Sequence, residues 1–261
     1  MAPEFNIPEL PGTDTTILEH VDLKEAWEYT RMTFFYQKIL GYNRNIRIDL
    51  RRNVPKAVNF VKEVEALRDQ IIEEDLINLK AIYRFLPAHS DGDDTIVTAD
   101  GKDYVFHFPR QEDDPHLCLS DYLQPQDDSM GFLVGTAGSE ILNYAKELEA
   151  DGLYKNAFIF QGIALGAAEA LTEMVHHKMR LEWGLKEPEW DKSLGPPRKY
   201  RGQRYSFGYP ACPELEMQGT LWDILQPQKI GVELTESFIM DPEASVSCIV
   251  YHHPDAKYFS V

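Results

Sequence analysis

The densest group of side chains suited to binding a small molecule lies between Tyr200 and Pro213. The stretch reads Tyr-Arg-Gly-Gln-Arg-Tyr-Ser-Phe-Gly-Tyr-Pro-Ala-Cys-Pro. Arg204 offers a planar fork that suits a carboxylate, and Tyr205, Phe207 and Tyr209 offer flat faces to a ring or a cation. Glycines and prolines suit neither a helix nor a regular strand, so we predict a shaped loop. The alternative is a rigid connector whose aromatic rings pack into the core.

Two acidic side chains of a predicted helix are further candidates. Residues 153–183 carry a long apolar pattern, and Glu169 and Glu173 lie one turn apart within it. A carboxylate on a buried face needs a partner, so either residue could face a ligand ammonium or sulfonium. Either could equally be an exposed helix glutamate, and for Glu173 that is the interpretation we favour.

The histidine pairs have the wrong geometry for a shared metal ion. His176 and His177 are neighbours on the predicted helix, where adjacent side chains point about 100° apart. His252 and His253 end a predicted strand and would face opposite ways. We interpret both pairs as surface or core residues.

Composition limits the possible partners. The chain has 261 residues, with 43 acidic against 26 basic side chains and a formal charge of −17. This charge argues against nucleic acid and anionic membranes. No apolar run approaches the roughly 20 residues of a membrane span, and the N-terminus shows no signal peptide. Three scattered cysteines indicate a cytoplasmic protein without disulfides.

The order of predicted elements favours one α+β domain over residues 1–261, because the strands occur as hairpins and not as βαβ units. Residues 1–20 read as an extended arm. Helices are predicted from Asp22, from Asn53 with Pro55 in its first turn, over 140–150 after Ser139, over 153–183 and from Pro213. Strands are predicted at 81–86, 95–98, 103–108, 130–135, 231–240 and 245–251.

Several segments together carry a resemblance to a known family. The run from Arg204, Arg-x-x-x-Gly-Tyr-Pro-Ala-Cys-Pro, closely resembles the activation domain of cobalamin-dependent methionine synthase. Other matching segments are spread along the chain: Phe85-Leu-Pro-Ala-His-Ser-Asp-Gly-Asp-Asp, Leu117-Cys-Leu-Ser-Asp-Tyr, Ala168-Glu-Ala-Leu-Thr-Glu, Leu234-Thr-Glu-Ser-Phe and His253-Pro-Asp-Ala-Lys-Tyr-Phe. The chain is therefore identified as a member of that family.

The resemblance implies both a fold and a function. The expected fold is a C-shaped single domain with a curved antiparallel sheet flanked by helices. The expected ligand is S-adenosylmethionine, which supplies the methyl group when inactive cob(II)alamin is reduced and converted to methylcobalamin during methionine biosynthesis. The expected partners are the module that holds cobalamin and flavodoxin or a similar electron donor. Such a domain is not expected to turn over alone.

Site residues follow from the same resemblance. Arg204 matches the arginine that meets the ligand, and the expected contact is the ligand carboxylate. Glu169 matches an acidic helix residue near the site. The other matching positions are Gly208, Tyr209 and Ala211 in the adjoining wall, Tyr258 as a ligand-contacting tyrosine, and Phe259 beside it.

Two departures from the family pattern leave alternatives open. Acidic positions of the family fall at about Thr30 or Arg31 and at Arg198 in this chain. Their loss favours, as an alternative, a non-binding docking domain that clamps a corrinoid protein. The basic run ending at Arg204 suits an acidic partner, ligand carboxylates or, for Arg198, Lys199 and Arg201, a solvated loop.

A corrin-ligating motif is matched only in part. His89-Ser-Asp-Gly resembles the tail of an Asp-x-His-x-x-Gly pattern, but Pro87 stands in place of the aspartate. We interpret it as a hairpin turn. An independent methyltransferase is disfavoured because no Rossmann-type glycine loop is present. A separate reactivation subunit and a piece of a longer synthase both remain open.

Overall fold

The computed structural model describes residues 5–190, 195–197 and 199–261. Its main feature is an antiparallel sheet of seven strands in the described residues. The strands are β1 (Thr16–Val21), β2 (Leu79–Asp91), β3 (Asp94–Ala99), β4 (Lys102–His107), β5 (Asp128–Thr136), β6 (Gln203–Tyr205) and β9 (Ser245–Tyr251). A separate two-stranded sheet joins β7 (Glu233–Leu234) to β8 (Met240–Asp241).

The long strand β2 organises the sheet. It pairs with β5 along one edge, and with β1 and then β3 along the other. The sheet continues from β5 through β9 to β6, and from β3 to β4. The two-residue turns after Asp91 and Ala99 carry Gly92 and Gly101 at positive φ, which is why Asp-Gly and similar pairs predict hairpins here. The hairpin interpretation of His89 to Gly92 is confirmed.

Most helices match the periodic segments of the sequence, but the separate helical segments at residues 32–39 and 46–51 were not predicted. The helices are α1 (Leu23–Trp27), α2 (Met32–Phe34) followed by a π-helical turn (Phe35–Ile39), α3 (Ile46–Arg51), α4 (Pro55–Glu73), α5 (Glu140–Ala150), α6 (Tyr154–Glu182) and α7 (Gln218–Leu225). Asp22 caps α1 by accepting from the Lys24 N–H, and Pro55 opens α4. Ser139 precedes α5 without a side-chain capping bond, so its predicted role as a cap is wrong.

Helix α6 crosses one face of the sheet and belongs to the core. Gly162 and Gly166 allow close packing, as the sequence predicts, because a Cβ at either position would overlap Leu40 or Phe35. By length and composition α6 is apolar enough to cross a membrane, contrary to the sequence-based expectation, but 72% of its most apolar window is buried inside the protein. The other face of the sheet packs against a second apolar cluster that includes Leu221 and Trp222 of α7. The predicted α+β class with helices flanking an antiparallel sheet is confirmed.

Three details differ from the sequence-based expectations. The predicted strand at 231–240 is interrupted because Thr235 closes a turn, its Oγ1 accepting from the Ile239 N–H and its carbonyl from Phe238. The two halves of that segment, β7 and β8, pair with each other, whereas β9 pairs with β5 and β6. The expected loop after Tyr200 contains the short strand β6, and the expected arm becomes strand β1 from Thr16.

Candidate ligand-binding cleft

A cleft of about 680 Å³ opens where β6, α6 and the C-terminal segment meet. Strand β6 places Arg204 opposite Val250 of β9, and α6 passes beneath with Glu169 and Glu173 one turn apart. The lining also includes Arg31, Lys199, Tyr200, Gln203, Tyr209, Lys257 and Tyr258. Charged groups from four parts of the chain therefore converge on one concave surface.

Arg204 lies in the wall of this cleft with its side chain 12% exposed. Its Nη2 donates to Glu169 Oε2 at 3.0 Å and lies 3.6 Å from Glu173 Oε2. Burial by itself would lower the pKa of Arg204, but the two carboxylates outweigh it and hold the pKa well above its usual value. The guanidinium therefore keeps its charge and remains a partner for an anionic ligand group.

Glu173 is buried, so our sequence-based preference for an exposed glutamate is wrong. Arg31 Nη2 lies 3.3 Å from each of its carboxylate oxygens, and the Tyr200 hydroxyl donates to Oε1 at 3.1 Å. Burial would raise the pKa of Glu173, but the charges of Arg204 and Arg31 outweigh it and the pKa is lowered. Glu173 is therefore an ionised carboxylate already satisfied by protein groups, whereas the Glu169 side chain is 29% exposed at the cleft.

Tyr200, which precedes strand β6, packs against helix α6. Its ring packs under the guanidinium of Arg180 at 3.7 Å and meets His176 edge-on at 5.5 Å. Arg180 is in turn held by both oxygens of Glu187, at 2.7 and 3.0 Å. Burial, followed by the charge of Glu173, raises the pKa of Tyr200 to about 12. Its hydroxyl is therefore a neutral donor that fixes the Glu173 carboxylate.

The aromatic wall of the cleft comes from two segments. Tyr258 is 63% exposed, its hydroxyl donates to the Arg204 carbonyl at 2.9 Å, and its ring meets Tyr205 edge-on at 5.5 Å. Tyr209 is 57% exposed and lies within the turn in which the Gly208 N–H donates to the Cys212 carbonyl. Gly208 has φ +79°, which explains the glycine at this position.

The structure brings most of the predicted residues together. Arg204, Glu169, Tyr209 and Tyr258 line the main cleft. Ala211 and Phe259 line an adjoining cavity of about 230 Å³, which shares Tyr209 and Tyr258 with the main cleft. Gly208 shapes the turn between them without lining either.

Sequence reasoning missed the role of Tyr200, which opens the arginine stretch, and of Lys257, which precedes Tyr258. No periodic or motif signal separates these two residues from ordinary loop positions. Arg198 lies outside the described residues. Arg201 is not a solvated loop residue, because it donates to the carbonyls of His252 and Asn6 and so holds the N-terminal segment.

Both histidine pairs lie inside the fold or against it. His252 is buried and its Nε2 lies 2.6 Å from Asp128 Oδ1, while His253 packs edge-on against Phe5. His176 is fully buried. Within the described ranges, no group of three or more His, Cys, Asp or Glu side chains is arranged to hold a metal ion.

The fold and the cleft define an α+β domain that presents a charged, aromatic-lined ligand site beside the edge strand of an antiparallel sheet. The chain belongs to the family of vitamin B12 dependent methionine synthase activation domains, whose family model matches residues 15–261. The resemblance in the sequence is thereby confirmed.

Individual relatives agree with this assignment. The chain is 34% identical over 206 residues to a methionine synthase of Mycobacterium tuberculosis, covering 71% of the chain and 17% of that protein. It is 34% identical over 204 residues to the methionine synthase of Mycobacterium leprae, and this match covers 69% of the chain and 17% of that protein. A crystal structure of the MetH reactivation domain bound to AdoHcy superimposes with a TM-score of 0.89 at 27% identity, covering 98% of this chain and 83% of that one.

Proposed function

We propose that this protein is the S-adenosylmethionine-binding reactivation module of a cobalamin-dependent methionine synthase. The observation that carries the proposal is the Arg204–Glu169 pair at 3.0 Å in the wall of the cleft. An amino-acid ligand presents a carboxylate and an ammonium a few ångströms apart, and an opposed arginine and glutamate recognise these two groups. The similarity to a reactivation domain bound to AdoHcy supports the same ligand class.

We assign the roles within the cleft as follows. The Arg204 guanidinium binds the ligand carboxylate, and Glu169, the more exposed of the two glutamates, accepts from the ammonium. Tyr209 and Tyr258 offer aromatic faces to the sulfonium or the adenine ring. Gly208 shapes the turn beside the cleft, and Ala211 and Phe259 complete the adjoining wall. Glu173 balances the charge of Arg204 and Arg31 without touching the ligand.

The chemistry supported by this site is a methyl transfer that repairs an oxidised cofactor. A cobalamin reduced by one electron from a donor would supply the nucleophile, and S-adenosylmethionine would give it the methyl group and leave as S-adenosylhomocysteine. The proposed role of this chain is to hold the sulfonium ligand in position for that attack.

We propose that the corrin is held by a partner module and not by this chain. Pro87 replaces the aspartate of the corrin-ligating pattern, and His89 lies within strand β2, paired with Ile96 of β3. The partners are then the cobalamin-binding module of the synthase and flavodoxin or a similar electron donor, in the cytoplasm. The net charge of −17 supports the absence of nucleic acid and anionic membrane partners. We propose one activation domain over the whole chain.

The docking-only alternative rests on the loss of two family acids. Arg31 lies at the cleft, but its Nη2 is occupied by Glu173 and the Tyr200 hydroxyl, so its charge is largely balanced within the protein. Glu169 still provides a carboxylate. The alternative therefore has less support than ligand binding, and the titration below separates the two.

Isothermal titration calorimetry with S-adenosylmethionine and S-adenosylhomocysteine tests the proposal. We expect saturable binding of both ligands by the wild type. Tyr258→Ala should weaken binding strongly and Tyr258→Phe mildly, since the ring face is kept. The matched control is Tyr154→Ala, because Tyr154 is 71% exposed at the start of α6 and does not line the cleft. Absence of heat and of a thermal shift at millimolar ligand would favour the docking-only alternative.

A further inference from the structure

Helix α6 carries a row of polar side chains on the face that it turns toward the cleft. Glu169, Glu173, His176 and Arg180 are spaced at i, i+4, i+7 and i+11, so they lie on one face of the helix. Glu169 and Glu173 line the cleft, whereas Arg180 and its partner Glu187 are not among its described lining residues. The proposed function assigns no role to this second pair.

Arg180 and Glu187 form a buried ion pair. Their side chains are 2% and 9% exposed, and Nε and Nη2 of Arg180 donate to the two carboxylate oxygens of Glu187 at 2.7 and 3.0 Å. Arg180 Nη1 has no hydrogen-bond partner in the part of the chain that the structure describes. Burying two charges costs about as much free energy as their attraction returns, so stability by itself does not explain the pair.

Arg180 also acts on the carboxylate that lies beneath the cleft. The ring of Tyr200 packs against the Arg180 guanidinium at 3.7 Å, and the hydroxyl of the same ring donates to Glu173 at 3.1 Å. Burial alone would raise the pKa of Glu173, and three arginine charges lower it. These charges, from the strongest to the weakest, are those of Arg204, Arg31 and Arg180. Arg180 is therefore a third cation that attracts this carboxylate.

We infer that Glu187 is a positioning residue for ligand binding. It holds the Arg180 fork, which would otherwise compete with Arg204 for the Glu173 carboxylate. A buried guanidinium without a carboxylate is strongly unfavourable, so an unpaired Arg180 would draw Glu173 toward itself. The inference rests on the proposed function, because it concerns the groups that recognise the amino-acid end of the ligand.

The loss of Glu173 from Arg204 would change the cleft in two ways. Arg204 Nη2 lies 3.0 Å from Glu169 and 3.6 Å from Glu173, so Glu169 would have to balance its charge alone. Glu169 would then be less available to the ligand ammonium. Arg31, which lies 3.3 Å from Glu173, would lose the same partner and add positive charge to the cleft. Both changes weaken the binding of an ammonium group.

Isothermal titration calorimetry of the variant E187Q with S-adenosylhomocysteine tests the inference. E187Q keeps the shape of the side chain and removes its charge, and we expect about fivefold weaker binding, because members of one ion-pair network are coupled. The control is D100N, since Asp100 pairs with the buried Arg84 at 2.7 Å and neither residue lines the cleft. Both variants deprive a buried arginine of a carboxylate, so both should lower the melting temperature. Only E187Q should lower the affinity.

A double variant distinguishes positioning from a general loss of stability. R180M/E187M removes both charges and fills the space with flexible apolar chains. Replacing a buried ion pair by apolar residues of similar volume is often neutral or stabilising. With no unpaired Arg180 to attract Glu173, we expect the affinity for S-adenosylhomocysteine to return to within about twofold of the wild type.

The milder variant E187D serves if E187Q does not fold. It keeps the charge on a shorter side chain, and we expect about threefold weaker binding. Wild-type affinity in the Glu187 variant, an equal loss of affinity in D100N, or no recovery in R180M/E187M would overturn the inference. Failure of the proposed function would appear separately, as absence of ligand heat in the wild type.

Discussion

Glu173 shows how a single residue shapes the candidate site without contacting its ligand. The carboxylate is 2% exposed and lies between Arg31 and Arg204, while the Tyr200 hydroxyl donates to one of its oxygens. A buried carboxylate without partners is strongly unfavourable, so the two arginines and Glu173 depend on one another. Removing Arg204 outright would therefore disturb the fold as well as the ligand site.

Arg204→Lys is the sharper test of Arg204 because it keeps the charge. A lysine replaces a bidentate fork by a point charge, and we expect S-adenosylmethionine to bind about tenfold more weakly, which is about 1.4 kcal/mol. Calorimetry gives the affinity, and a thermal melt should stay near that of the wild type. The control is Arg110→Lys, since Arg110 pairs with Asp93 and Asp121 away from the cleft. Equal affinity of both variants and the wild type would exclude Arg204 from ligand binding.

His176 gives the stability a predictable dependence on pH. It is fully buried, and within the described residues neither ring nitrogen has a hydrogen-bond partner. Burial, followed by the charge of Arg180, lowers its pKa well below the usual value. The unfolded chain, with a histidine pKa of about 6.5, takes up the proton first as the pH falls, so stability is full above that pH and declines below it by up to about 1.4 kcal/mol per pH unit.

His176→Leu should remove this dependence. Replacing unpaired buried nitrogens by apolar atoms is neutral or stabilising at neutral pH, so the variant should equal or exceed the wild type there and lose less stability on acidification. The free energy of unfolding of both proteins is measured with urea at a pH above and a pH below the usual histidine pKa. His107→Gln is a control in which the pH dependence of stability has the opposite sign. The hydrogen bond to Asp94 raises the pKa of His107, so the stabilisation by His107 is lost as the pH rises through its folded-state pKa. An unchanged pH slope in His176→Leu would contradict the assignment.

At the scale of elements, the site depends on how strand β6 leaves the preceding loop. Gly202 has φ +86°, and a Cβ there would lie 2.6 Å from the Tyr251 carbonyl oxygen. The loop thus passes so close to β9 that only glycine fits. Because Arg204 follows two residues later, the position of its guanidinium depends on this approach.

Gly202→Ala should therefore lower both stability and ligand affinity. The control is Gly231→Ala, at φ +80° with nothing within 4 Å of the new Cβ, which should suffer only the backbone strain of about 1–2 kcal/mol. We expect Gly202→Ala to cost more than that in urea unfolding and to weaken S-adenosylhomocysteine binding in calorimetry. If both variants lost the same free energy of unfolding and bound S-adenosylhomocysteine like the wild type, the position of β6 would not depend on the close approach at Gly202.

At the scale of the whole molecule, the proposed activity requires components that this chain does not supply. The chain spans 17% of the mycobacterial methionine synthases that it matches. Its described residues line a ligand cleft, and the proposed function assigns cobalamin and electrons to partners. Under the proposed function, the protein supplies the methyl donor to a corrinoid held by a partner module.

Stepwise reconstitution tests whether this chain supplies the methyl donor while its partners supply cobalamin and electrons. We expect the protein with S-adenosylmethionine alone to transfer no methyl group. Methylcobalamin should form only when a cobalamin-loaded synthase module and a low-potential reductant are both added. Its formation is monitored by the loss of the cob(II)alamin absorption spectrum. Methylcobalamin formed without this protein, or methylation of another acceptor without a corrinoid, would refute the proposal.

The sequence by itself determined the features that depend on local signals. Pro55 in a first turn, Asp100-Gly101 between apolar strands and the long apolar run of α6 predict their elements because each acts within a few residues. The motif that begins at Arg204 indicates the family, and the family indicates the expected class of ligand. The candidate residues Arg204, Glu169, Tyr209 and Tyr258 then meet in the cleft.

Only the tertiary structure decided which groups satisfy one another. Helix α6 is apolar around most of its circumference, so its pattern could not show that Glu173 faces inward. Its partner Arg31 is 142 residues away in the sequence, and no local rule connects the two. Gln203–Tyr205 becomes a strand only because β9 offers an edge to pair with. Burial and long-range pairing depend on the assembled chain, and these interactions hold the Arg204 guanidinium at the cleft.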